Sequence, residues 1–156
     1  MRLAYALAIS LAGAIAVPSL AAPAPQLFAE RCAMCHQASG TGLPGQFPRL
    51  AGRVNGMAQT DPGRRYLILV MLNGMVGQID VDGQRIIGLM PSMAALKDQD
   101  LADLLNHAIQ LGAIAKGKKP AAFTAGEIAA IRKNGSIGPS AVHAERAKLV
   151  ASGTVH

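Results

Sequence analysis

The chain predicts a small all-α domain that carries a basic two-helix extension at its C-terminal end. Three observations support this. Between residues 26 and 111, apolar side chains recur at helical spacing in separate segments. Two further helix-start signals follow a basic run interrupted by Gly117 and Pro120. Once an N-terminal leader is removed, roughly 135 residues remain, enough for one domain with one modest core. That core would be thin, because the chain has no Trp, three Phe and two Tyr. Something large and flat is expected to fill it.

The leader comes first. Arg2 is the only charge before an apolar stretch from Leu3 to Val17, and Pro18 and Ser19-Leu20-Ala21 follow. A basic start, an apolar run and small residues before a cut make a signal peptide over residues 1–21, cleaved after Ala21. An apolar run of about 15 residues falls short of the ~20 a membrane span needs. The processed chain is therefore expected to be exported, most simply to a bacterial periplasm, with no stable membrane span.

A short helix over Gln26–Cys35 then runs into Cys32-Ala33-Met34-Cys35-His36, which holds the only two cysteines. Two thiols three positions apart can each add across a haem vinyl group, with the adjacent imidazole reaching the iron, so the spacing reads as a c-type haem attachment signal. A redox dithiol would sit near a βαβ pattern, and none is present. A zinc site would need about four ligands, but His107, His143 and His156 are scattered. One covalent haem c on Cys32 and Cys35, with His36 as an axial ligand, is the expectation. The flat group also answers the thin core.

Two more helices follow within the domain. Asp61 suits an N-cap and Pro62 a first helical position, opening a helix that stops at Asn73-Gly74. The last runs from about Asp98 to Leu111, with Leu101, Leu104, Leu105, Ala108 and Leu111 on one face. Between them Asp82-Gly83 is a hairpin-turn dipeptide, so a small two-stranded excursion is expected there. Residues 22–115 carry seven basic and seven acidic side chains, whereas residues 116–156 carry seven basic and two acidic. The pI of about 9.8 therefore belongs mainly to the extension. In it, Thr124-x-x-Glu127 reads as a capping box ahead of a helix ending at Asn134-Gly135, and Gly138-Pro139-Ser140 opens another to about Ala151.

A second iron ligand would come from a segment remote from His36. Met90-Pro91-Ser92-Met93 stands out, since Pro91 removes a backbone donor and stiffens a loop. Met90 is preferred, with Met93 the less favoured choice. Met71 and Met75 read as adaptable core fillers, Met57 as a loop residue, and His107 as a helix-packing residue. His143 and His156 are expected to be solvated.

Taken in order, these motifs resemble a class I c-type cytochrome over residues 24–111. Leu27-Phe28-x-x-x-Cys32-x-x-Cys35-His36 is similar to that family's first helix and haem motif, and Phe47-Pro48-Arg49-Leu50-Ala51-Gly52 to its proline segment. The resemblance implies a small class I cytochrome c fold around one haem. It also implies a hydrogen bond from His36 Nδ1–H to the Pro48 carbonyl, and the methionine before proline as ligand, which again favours Met90. Leu72-Asn73-Gly74, Gly88-x-Met90-Pro91 and the 98–111 helix are similar to haem subunits of periplasmic dehydrogenases. Two departures stand out: Ala24 replaces a usual glycine, and His107 replaces an aromatic that would pack against Phe28.

The expected function is one-electron transfer by a carrier rather than an enzyme, because His36 and a thioether leave no open iron site. A periplasmic dehydrogenase or terminal oxidase is the expected partner, with no role for nucleic acid. The alternative is a haem protein that binds or senses small ligands by releasing Met90, and a thiol–disulfide oxidoreductase ranks third. The basic extension either steers and clamps an acidic partner or covers the haem domain through Ile128, Ile131, Val142 and Leu149.

Overall fold

The computed structural model describes residues 23–113 and 119–155. The signal peptide over 1–21 with its cut after Ala21, the boundary residues Lys116 and Lys118, and His156 lie outside the described residues. So does the 115/116 division between domain and extension.

Helix α1 (Ala24–Arg31) and the single turn α2 (Ala33–His36) stand where one helix over 26–35 was expected. Cys32 sits between them at φ −121° and ψ −36°, outside the helical basin. The break is slight, because Cys32 N–H still donates to Phe28 O and His36 N–H to Cys32 O. Helix α3 (Arg53–Met57) corrects the loop expected around Met57. Its sequence, with Asn55 and Gly56, favours helix weakly. It is held from outside: Val54 and Asn55 are buried, and Asn55 Nδ2–H donates to Ile109 O at 3.1 Å.

Helix α4 (Asp61–Asn73) begins one residue earlier than the sequence indicated. Thr60 is its N-cap, Oγ1 accepting from Gly63 N–H at 3.2 Å, and Asp61 and Pro62 fill the first turn. Strands β1 (Met75–Val81) and β2 (Gln84–Met90) pair antiparallel, from Val81 opposite Gln84 at the turn to Met75 opposite Met90 at the open end. Asp82 and Gly83 both take positive φ, 53° and 73°, as a two-residue type I′ turn requires. The chain is thus mostly helical rather than all-α, and the hairpin is the exception.

Helix α5 (Asp98–Ala108) stops short of the expected Leu111. Gln110 and Leu111 turn instead through tighter bonds to the carbonyls three residues back. Helices α6 (Ala125–Arg132) and α7 (Pro139–Ala151) form in the extension. The capping box at α6 is only half made. Thr124 Oγ1 accepts from Glu127 N–H, but the Glu127 carboxylate turns to Arg64 at 2.7 Å.

The main core joins Phe28 of α1, Ile68 and Leu72 of α4, Leu101 and Leu105 of α5, and Ile128 of α6. A second cluster sets Val142 and Val155 of the extension against Tyr66 and Leu69 of α4. Helix α5 lies across α1 and α6, while α7 covers α4 and β1. Among the described residues no helix is long and apolar enough to cross a membrane.

Candidate functional site

A cleft with about 950 Å³ of free space, its open mouth included, lies between the α1–α2 segment, the end of α4 and the hairpin. One wall carries Cys32, Cys35 and His36, backed by Phe47 and Pro48. The opposite wall carries Met71, Met75, Met90 and Met93, and the hairpin closes one end with Ile79, Ile86 and Leu89. The lining is predominantly apolar. Strand alternation explains part of it, because Met75, Gly77 and Ile79 of β1 stand opposite Met90, Gly88 and Ile86 of β2. All six line the cleft.

His36 is buried, and its Nδ1–H donates to Pro48 O at 2.9 Å. A carbonyl can only accept, so this bond assigns the Nδ1–H tautomer and leaves the Nε2 lone pair free. Burial holds the His36 pKa below its ordinary value, with the Pro48 bond partly countering it. A neutral imidazole with Nε2 free is the form that binds a metal. The Pro48 carbonyl is itself held by the small loop before it. Leu43 and Phe47 exchange backbone bonds, and Gly42 N–H donates to His36 O.

Both cysteines are free and half-buried. Burial, with help from Cys35, pushes the Cys32 thiol up to about 11. A dithiol oxidoreductase works through a thiol of lowered pKa, and Cys32 is shifted the other way. Among the described residues no group of three His, Cys, Asp or Glu side chains could hold a metal ion by themselves. Two thiols and an imidazole on one short stretch, facing thioethers across an apolar slot, are the donor set a covalent haem needs.

Met90 is not on the loop where the sequence placed it. It is the last residue of β2, and its position is set by the ladder to Met75. The loop begins at Pro91 and is tied to the end of α4: Ser92 Oγ–H donates to Leu72 O at 2.6 Å, and Met93 N–H to Met71 O at 2.8 Å. Met71 and Met75, expected as filler, line the cleft while also packing into the core. His107 lies outside the cleft, its ring tilted at 55° against Phe28 with centroids 4.9 Å apart. His143, expected to be solvated, is half-buried on α7 and bonded to the hairpin. Its Nε2–H donates to Gln78 O at 2.6 Å.

The hairpin's part in the site was missed by sequence reasoning. The alternation of residues 75–81 against 84–90 carried the signal, but only the turn was read from it.

Comparison with known proteins gives a consistent answer. The family profile "Cytochrome c" matches residues 21–111. The chain is similar to cytochrome c-552 of Thermus thermophilus, at 47% identity over 122 residues, covering 76% of this chain and 91% of that protein. A second cytochrome c-552, from a named strain of the same organism, is also 47% identical over 122 residues, covering 80% of its length.

Proposed function

The chain belongs to the cytochrome c family, and we propose that it passes single electrons between redox proteins through a haem held by Cys32, Cys35, His36 and Met90. As a member, it binds one covalently attached haem c and is an electron carrier, not an enzyme. When bound, that haem supplies a one-electron Fe(III)/Fe(II) couple. The observation that carries the reading is the cleft, with the Cys–Cys–His run on one wall and thioethers on the other.

The residues then divide the work. Cys32 and Cys35 bear the thioether bonds. His36 offers Nε2 to the iron, and the Pro48 carbonyl fixes the ring orientation that does so. Met90, positioned by the β2 ladder and by Pro91, would offer its thioether sulfur to the iron. Met71, Met75, Ile79 and Ile86 line the cleft and would exclude water from a haem held there. Met93 lines the same cleft and is the second choice for ligand. The small-ligand reading needs Met90 to leave, and a residue anchored by a strand ladder and a proline leaves with difficulty.

Export by residues 1–21 to the periplasm, with a dehydrogenase or terminal oxidase as partner, completes the proposal. Met34 and Leu89 line the cleft mouth and are 85% and 65% exposed, leaving an apolar surface for contact at the haem edge.

Two measurements test it. Haem should stay on the chain through acid and detergent denaturation, because thioether bonds do not depend on the fold. The oxidised protein should show the weak near-infrared band of Met–Fe(III) ligation, lost in Met90→Ala together with a fall in reduction potential and a gain in CO binding. Loss of the band in Met93→Ala but not in Met90→Ala would move the ligand three residues along. Tight CO binding by the unaltered reduced protein at neutral pH would favour the small-ligand reading.

A further inference from the structure

The loop that follows Met90 has little of its own to hold it in place. Residues 91–97 form neither helix nor strand, and among them only Met93 and Leu96 are half-buried, the rest being exposed. Their internal bonds run from Leu96 N–H to Met93 O and from Ala94 N–H to Ser92 Oγ. Segments with so few buried contacts open locally at low cost. Yet this loop starts at one methionine proposed for the iron and contains the other.

Two outside anchors supply what the loop lacks, and both lead to one short stretch of the extension. Arg132, the last residue of α6, spreads its guanidinium over the far end of the loop. Its Nη1–H donates to Ala94 O at 2.8 Å, Nη2–H to Leu96 O at 3.1 Å and Nε–H to Asp98 at 2.8 Å. The near end hangs from the last turn of α4, through the Ser92 and Met93 bonds to Leu72 O and Met71 O. That turn is itself tied down. Asn73, its buried last residue, donates Nδ2–H to Leu69 O, and its Oδ1 accepts from Ser136 Oγ–H at 2.9 Å and Ile137 N–H at 3.1 Å. Residues 132–137 therefore grip the loop at one end and the helix turn that carries it at the other. One planar fork meeting a carboxylate and two carbonyls at once is a geometry that arginine provides and lysine does not.

We propose that Arg132 and Ser136 are positioning residues for the thioether ligand, so that the extension keeps the methionine on the iron and the iron closed to small molecules. The inference rests on the haem reading above and holds for either methionine, since Met90 adjoins the loop and Met93 lies in it. Neither Arg132 nor Ser136 is among the residues that line the cleft. They act by lowering the population of loop-open states, in which the methionine leaves and an outside ligand can enter.

The test uses the full-length reduced holoprotein, with CO as the probe, well below the melting temperature. Arg132→Gln should bind CO about tenfold faster than wild type, the shift that loss of one charge-assisted hydrogen bond gives. In the oxidised protein its Met–Fe(III) band should fade on warming before the fold melts. Amide exchange at Met93 and Leu96 should quicken, while exchange in α7 stays as it was. Ser136→Ala should act in the same direction and more weakly. Arg132→Lys keeps a cation for Asp98 but not the fork, so it should also bind CO faster, and it serves if Arg132→Gln does not fold. Val142→Ala loosens the extension at Tyr66 and Leu69, away from residues 132–137. It should lower the melting temperature and leave CO binding unchanged.

Wild-type CO binding in Arg132→Gln, with only a lower melting temperature, would reduce Arg132 to a structural tie and overturn the proposal. So would an equal gain in Val142→Ala, which would mean general destabilisation. Wild-type behaviour in Arg132→Lys would assign the effect to charge and overturn the carbonyl grip. Failure of the underlying haem reading is separate. It would appear in the wild type as haem lost on denaturation or as a missing Met–iron band, and would take this inference with it.

Discussion

Two glycines stand behind the two walls of the cleft, and each is required by space as well as by backbone angle. Gly42 has φ +66°, and a Cβ there would sit 2.7 Å from the Pro48 carbonyl carbon and 2.8 Å from Arg49 N. Gly74 has φ +70°, and its Cβ would collide with Met90 O and sit 2.9 Å from Ser92 N. The obstacles are backbone atoms that cannot rotate away. Gly42→Ala and Gly74→Ala should therefore each cost about 2 kcal/mol or more, from positive-φ strain and displaced chain together. Thermal melts of the holoprotein check the cost. Gly74→Ala should also weaken the Met–iron band, whereas Gly42→Ala, acting on the His36 side, should leave it in place. A variant that melts like wild type would show that its neighbours yield freely. At this scale the spacing of Cys32, Cys35 and His36 announced one covalent haem c, as the family has; which residues hold it belongs to the proposal. The placement of Met90 on a loop was wrong, because a residue's strand partner is not written beside it.

Among the elements, the hairpin turn and the start of α6 are each held to the rest of the fold by an arginine. The hairpin turn is joined to the segment before α3 by Arg49, whose Nε–H and Nη2–H donate to the two Asp82 oxygens at 2.8 and 2.9 Å. The Arg49 hydrogen bond is the main reason the Asp82 carboxyl lies below its ordinary pKa. A carboxyl lowered on folding stabilises the fold above its unfolded value, near 4, and loses that contribution as pH falls through the folded value. Asp82→Asn keeps a residue that tolerates φ > 0, so it removes charge without changing the turn. The variant should melt slightly below wild type at neutral pH, and the gap should close in acid below about pH 4. A gap that persists in acid would assign the effect to the turn itself. The effect stays small because both partners are largely solvated.

Helix α6 depends on Arg64, which grips Glu127 with two bonds at 3.0 and 2.7 Å and donates to Ala121 O and Ala122 O. Its guanidinium also lies 4.0 Å from the Phe123 ring centre. Arg64→Met keeps the aliphatic stem but leaves those acceptors unpaired, which should cost about 2–3 kcal/mol in urea unfolding. A cost below about 0.5 kcal/mol would show that solvent replaces the grip. In the sequence Arg64 was only one charge on a helix, because its partners lie 57 or more residues away.

For the whole molecule, the question is what the extension does. A positive clamp needs its charges outward, but Arg132 pairs with Asp98 at 2.8 Å and also donates to Ala94 O and Leu96 O. Arg146 is buried, while Lys148 is exposed and its charge is partly offset by Glu145. Meanwhile Ile128 and Val142 are fully buried in the two core clusters. The covering role is therefore favoured. Removing residues 116–156 should lower the melting temperature markedly, because α4, α5 and β1 lose apolar cover. The salt dependence of electron transfer to a redox partner should change little. Slower transfer mainly at low salt, with the melting temperature unchanged, would reverse this and favour the clamp.

What could be read from the chain was what short-range chemistry determines. Cys32, Cys35 and His36 declare covalent haem by spacing. Asp82-Gly83 declares a tight turn by its tolerance of positive φ, and the apolar periods after Asp61 and over about 98–111 declare helices, the second of which ends at Ala108. Tertiary structure decided the rest. Helix α3 exists because Asn55 reaches Ile109, 54 residues away, against weak local propensity. The break at Cys32, the cleft face of the hairpin and the inward turn of Arg132 and Arg146 likewise depend on partners distant in sequence. Burial, charge balance and contact are properties of what lies across the fold, and no local pattern specifies which distant residue that will be.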